Sequence, residues 1–154
     1  MTKSFRKIAQ NRRAHYDYFI EDTLEAGIML AGSEVKALRE GKANINDAYA
    51  DAQGDEFFLL NAHISEYKGA NRFNHETGRP RKLLLRGKQI NKLLGGLKKK
   101  GITLVPLSLY FNERGRVKVE LAVAKGKKQY DKRATEKEKE WNRDKARILK
   151  DTNQ

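Results

Sequence analysis

The 154-residue chain has no cysteine, which excludes a disulfide framework and any thiolate-ligated metal site. Such a sequence suits a reducing compartment. No run of about 18 apolar residues occurs, so no stretch reads as a membrane-spanning helix. The basic start MTKSFRKIAQNRR is followed by no apolar h-region of the kind a secretory signal needs. The expectation is a soluble, cytoplasmic protein with no membrane partner.

Familiar catalytic motifs are missing as well. There is no GxxxxGK[ST], GxGxxG or GxSxG, which removes the readily recognised NTPase, dinucleotide and hydrolase chemistries. Histidines stand at 15, 63 and 75 without HExxH or paired spacing, so neither a metal nor a cofactor is expected. Glu34, Asp47 and Glu56 lie among bases, with no local pairing that marks an acid and a base. No catalytic residue is assigned, and the reading is non-enzymatic.

What the chain does have is positive charge: net +13, with pI near 9.9. Residues 1–124 carry 22 basic and 14 acidic side chains, and residues 125–154 carry 11 and 6, so both parts are basic. A surface of this sign attracts polyanions and loses that attraction as salt rises.

Residues 1–13 read as a mobile basic N-terminal arm. From His15 to Ile28 the residues Tyr16, Tyr18, Ile20, Leu24, Ala26 and Ile28 alternate as one strand face, interrupted by Asp22; a bulge near Asp22 and Thr23 relieves the conflict. Ser33 then caps a short helix that ends at Gly41. A hairpin follows over Ala48–Ala52 and Glu56–Ile64. Residues 65–81 read as a long surface loop bearing Lys68, Arg72, Arg79 and Arg81. Ile90, Leu93, Leu94 and Leu97 share a helical face, and Gly95 and Gly96 in that helix suggest close packing on a sheet. Thr103, Val105, Leu107, Leu109 and Phe111, then Val117, Val119, Leu121 and Val123, alternate on either side of an NERG turn as a hairpin. These elements predict a mainly β fold with short helices: an antiparallel, OB-fold-like barrel over residues 14–124, with an open sheet covered by helices as the alternative.

The segment from Lys125 to Gln154 carries almost no large apolar side chain besides Trp141, Ile148 and Leu149. It cannot offset its own ordering entropy and is expected to be a disordered basic tail that becomes helical on contact with a partner. Basic residues interleaved with Tyr16, Tyr18, Phe73, Tyr130 and Trp141 point to RNA, whose unpaired bases stack on flat rings. Tyr16 and Tyr18, at strand spacing, read first as core.

Three separated stretches carry a more specific likeness: GSEVKALREGKANI (32–45), RKLLL (81–85) and AKGKKQYDKR with EWNRDKARILK (124–150). On these the chain resembles the SsrA-binding, or small protein B, family. The resemblance implies a barrel that binds the tRNA-like domain of tmRNA and a tail that probes the empty messenger channel of a stalled 70S ribosome, contacting its rRNA, in trans-translation. Carried over by motif, it implies an RNA-contacting set of Asn11 in NRRA, Glu25 in LEAG, and Lys36 and Arg39 in EVKALR, with Lys127 and Lys128 in GKK nearby. The same motifs add Arg12, Arg13, Glu34, Lys42 and Asn44. On the ribosome it implies a tail set of Tyr130, Asp131, Lys132 and Arg133; Trp141 and Ile148, seven residues apart, are expected to seat the helix. Some family members carry histidine where Tyr130 stands and serine where Ala37 stands. The protein is expected to act as a monomer. A general ribosome- or rRNA-associated basic protein is the other reading within the binding class.

Overall fold

The computed structural model describes residues 6–69, 74–98, 101–127 and 129–152. In chain order the elements are β1 (Arg6–Gln10), α1 (Ala14–Asp17), β2 (Tyr18–Ile28), α2 (Gly32–Arg39), β3 (Ala43–Asn44), β4 (Tyr49–Gln53), β5 (Glu56–Leu60), β6 (His63–Ile64), β7 (Arg81–Leu84), α3 (Gly87–Leu97), β8 (Ile102–Phe111), β9 (Val117–Gly126) and α4 (Gln129–Thr152). Among the expected positions, Arg72, Phe73 and Lys128 lie outside the described residues, as do the side chains of Tyr130, Asp131 and Lys132.

Strands β8, β4, β5, β7, β2 and β9 pair antiparallel in a ring that closes between β9 and β8. This is a barrel, and closure removes the free edges an open sheet would expose. One side of β8 carries β9; its other side meets β4 at Leu104 and β1 along Ser108–Phe111. The β4–β5 hairpin turns at Gly54 and Asp55, where Gly54 takes φ 69°, a conformation that costs glycine little.

Two bulges decide which side chains enter the barrel. Register shifts between Ile20 and Asp22 on β2, and between Pro106 and Ser108 on β8. Because side chains alternate with period two, each inserted residue exchanges inside for outside. Leu24, Leu104, Leu109, Phe111, Val119 and Leu121 therefore pack in the main core with Phe57, Leu38 and Ile64. Tyr18, Ile20, Val105 and Leu107 gather with Ala122 and Ala124 in a second cluster on the opposite face. The β2 bulge falls one residue from the expected place, whereas the unbroken alternation expected from Thr103 to Phe111 is corrected by the bulge at Leu107.

Other expectations change too. Residues 6–10 are not a free arm: β1 pairs with β8 from Arg6↔Phe111 to Gln10↔Ser108. Tyr16 belongs to α1 rather than to a strand. The run 56–64 breaks at Asn61, where φ is 58°, and β6 pairs instead with β3 in a separate two-stranded sheet. Arg81 lies in β7 and is fully buried rather than on a surface loop. A Cβ on Gly95 or Gly96 would meet nothing within 4 Å, so close packing does not explain these glycines.

The C-terminal segment, expected to become helical on contact with a partner, has the helical form here. Strand β9 runs to Gly126, and Gln129–Thr152 forms one 24-residue helix. Its Glu, Lys, Arg and Ala residues are strong helix formers, and its length exceeds the roughly 12–15 residues below which isolated helices are marginal. Arg133 and residues 136–148 are exposed along it. Among the described residues no helix is long and apolar enough to cross a membrane.

Candidate nucleic-acid interface

The turn between β1 and α1 carries the first group of expected RNA contacts. Asn11 is buried; its N–H donates to Leu107 O at 2.8 Å and its Oδ1 accepts Arg13 N–H at 3.2 Å. Asn11 thus shapes the turn that presents Arg12 and Arg13, both exposed. Arg13 lies 5.4 Å over the Tyr16 ring and 3.8 Å from Asp17. Lys7, Gln10, Asn11, Arg12 and His15 line a shallow cavity of about 450 Å³ together with Ser108 and Glu120. Lys127 closes this corner: its Nζ donates to His15 O at 2.9 Å and sits 4.9 Å over the Phe19 ring, while its N–H bonds Asp17 O. The root of α4 is therefore tied to α1.

Helix α2 carries the second group. Val35 and Leu38 turn inward, Leu38 being fully buried, which leaves Lys36 and Arg39 exposed, followed by Lys42 beyond the helix end. Lys36 lies 5.6 Å over the Tyr67 ring, and Lys42 pairs with Glu40 at 3.0 Å. Arg6 reaches from β1 to donate to Arg39 O at 2.5 Å and stands 5.9 Å over Phe111. Asn44 is exposed and accepts Asn46 N–H at 2.9 Å, shaping the turn that follows β3.

Glu34, expected among the RNA contacts, is instead fully buried. Its Oε1 accepts the Ala31 N–H at 2.8 Å, taking the N-terminal capping role expected of Ser33, and also pairs with Arg79, while Oε2 pairs with Arg81. Burial alone would raise its pKa, but the bonds from Arg79, Ala31 and Arg81 outweigh it and hold the carboxyl below its ordinary value. Arg81 directs its other donors to Ala62 O and Thr77 O, each at 3.0 Å, and to Glu76 O at 3.4 Å. Ser33 Oγ instead bonds His75 Nδ1 at 2.9 Å, and His75 Nε2 donates to Ile64 O at 2.9 Å. These contacts clamp α2 to β6, β7 and residues 74–80, and so orient Lys36 and Arg39.

Glu25 stands on the outer face of β2, directly opposite Glu120 on β9. The Tyr110 hydroxyl donates to Glu25 Oε2, and Ser108 Oγ donates to Glu120 Oε2 at 3.2 Å. Burial raises the Tyr110 pKa, and the bond to Glu25 with the charges of Glu25 and Glu120 raises it further, so the phenol stays protonated. The exposed arginines and lysines suit phosphates, whereas Glu25 and Glu120 offer acceptors only. Among the described residues no three His, Asp or Glu side chains converge as a metal site would need.

On the tail helix, Arg133 is exposed, and Trp141 and Ile148 are each 64% exposed, seven residues apart on one side. These side chains stand away from the barrel core.

A family model described as SmpB protein matches residues 8–151, from β1 through almost all of α4. The chain belongs to the SmpB family. It is 61% identical over 146 residues to the SsrA-binding protein of Methylobacterium sp. (strain 4-46), covering 95% of this chain and 93% of that one. It is 59% identical over 150 residues to the SsrA-binding protein of Rickettsia typhi, covering 97% and 99%. A solved structure described as "tmRNA-SmpB: a journey to the center of the bacterial ribosome" is similar at TM-score 0.66 and 48% identity, over 78% of this chain and 84% of that one.

Sequence reasoning did not single out Arg6, Tyr67 or Tyr110, and it placed Glu120 only on the wetter face of the β8–β9 hairpin. Period-two alternation does carry a signal for two of them, because Tyr110 and Glu120 fall on the outward face of the β8–β9 hairpin. Arg6 and Tyr67 reach α2 only through tertiary pairing and leave no local mark.

Proposed function

We propose that this SmpB-family chain is the adaptor that binds the tRNA-like domain of tmRNA and delivers it to stalled ribosomes in trans-translation. The observation that carries this reading is the single family match that runs from the barrel into the tail helix, on a chain that is basic in both parts. On this reading the barrel grips folded RNA through the β1–α1 turn, the exposed side of α2 and Glu25, and α4 enters the vacant messenger channel. Support for the first part is geometric: Arg12, Arg13, Lys36, Arg39 and Lys42 are all exposed, while Asn11 and the buried Glu34–Arg81 pair hold their supports in place.

Support for the second part is the exposed helix itself, which brings Trp141 and Ile148 to one side and leaves Lys137, Lys139, Arg143 and Lys145 exposed around it, cations that an RNA-lined channel attracts. On this reading Tyr130 stacks on an rRNA base, and Asp131, Lys132 and Arg133 act on the ribosome with it. The chain turns over no substrate and works as a cytoplasmic monomer. Binding of the isolated tRNA-like domain, followed by fluorescence anisotropy across a salt series, tests the proposal: nanomolar-range binding that weakens steeply with salt supports it. Equal affinity for any structured RNA of that size favours the reading as a general rRNA-associated protein.

A further inference from the structure

We propose that Tyr110 is a positioning residue for RNA recognition: by crossing β9 to hold the Glu25 carboxylate, it presents Glu25 to the RNA as a fixed hydrogen-bond acceptor. This rests on the reading that the barrel binds the tRNA-like domain and that Glu25 lies in its contact surface. Register places Glu25, Glu120 and Ser108 in one row across β2, β9 and β8, with Tyr110 opposite Lys118 in the adjacent row. From there the phenol spans an intervening strand to reach Glu25.

The arrangement has a physical reason. Two carboxylates directly opposite on neighbouring strands repel, and left alone they would turn apart. Here each takes a hydroxyl on Oε2, Glu25 from Tyr110 and Glu120 from Ser108, so both stay in place despite their like charge. A carboxylate repels phosphate and accepts from donors. Glu25 therefore reads base amino or imino groups or ribose 2′-hydroxyls, which carry more information than the backbone charge does. The raised Tyr110 pKa keeps the donor present throughout the neutral range. The carboxylate of Glu25 then pays little rotamer entropy on binding, which is the advantage of a group fixed beforehand.

A double-mutant cycle on the full chain tests this. Tyr110→Phe removes only the hydroxyl and is expected to weaken binding of the tRNA-like domain by about three- to tenfold, the cost of ordering one side chain that is no longer held beforehand. In a Glu25→Ala background the same change should cost nothing further, because Tyr110 acts through Glu25. The slope of affinity against salt should stay as in the unmodified chain, since no phosphate contact is lost. Glu25→Asp, which keeps the charge but withdraws it from the hydroxyl, should give a similar loss without touching the ring. Equal losses from Tyr110→Phe with and without Glu25 would assign Tyr110 a purely structural role and overturn the inference, as would no loss at all. If the unmodified chain does not bind the RNA, the failure lies in the proposed function itself, and the inference falls with it.

Discussion

Arg81 and Glu34, 47 positions apart, are both fully buried and paired to each other, joining β7 to the first turn of α2. A buried charge left without its partner costs about 3–5 kcal/mol, so Glu34→Ala should lower stability by that order and loosen α2, with RNA affinity falling as a consequence. The same pair sets an acid limit. Because the folded-state pKa of Glu34 is depressed, its stabilisation is complete above its ordinary value of 4.5 and is lost as pH falls below that toward the folded-state value. Denaturant titrations from pH 7 down to pH 3 should show this loss, and it should be absent in Glu34→Gln, whose neutral side chain does not titrate.

Gly95 and Gly96 give a prediction of opposite sign. Open space surrounds the position of a Cβ on either, and neither has positive φ. Replacing Gly96 by Ala should stabilise α3 by about 0.5–1 kcal/mol, the ordinary helix penalty of glycine, measurable as a rise in Tm.

Arg39 is exposed at the last turn of α2, and only its backbone carbonyl is engaged by Arg6. Arg39→Ala should leave Tm unchanged and weaken binding of the tRNA-like domain by about 1–3 kcal/mol, the range for a charge-assisted bond. The slope of log affinity against log salt should fall by about one counterion. An unchanged affinity would remove Arg39 from the interface.

Much of the barrel was legible in the residues because local period dictates it. The β8–β9 hairpin, α2, α3 and the bulge in β2 all follow from alternation, helical spacing or a polar residue at an apolar position. The parts that were not legible depend on distant partners. β1 looks like a free arm until β8 is there to pair with it, and Arg81 looks like a surface cation until Glu34 meets it from α2. Even so, RKLLL carries a hint: Arg81 and Leu83 share the inward face of β7, while Leu84 points out and is half exposed. The bulge at Leu107 left no such hint, because apolar residues stand on both faces of β8. Of the proposed RNA surface, the cations of α2 and the β1–α1 turn are legible by charge and family likeness. Glu34 was misplaced because only the fold shows that it is enclosed, and the contact of Tyr110 with Glu25 spans 85 positions.

On the proposed function the barrel grips RNA and the tail helix acts on the ribosome, and one comparison tests that division most directly. The full chain and a chain ending at Lys128 are assayed side by side for binding to the tRNA-like domain and for peptide tagging on stalled ribosomes, with Asp131, Lys132 and Arg133 jointly replaced by Ala as a third form. All strands of the barrel precede residue 128, so the shortened chain should fold and bind RNA with unchanged affinity while tagging falls to background; the triple replacement should bind as well and tag poorly. Tagging at the full rate without the tail, or loss of RNA binding on its removal, would contradict the account.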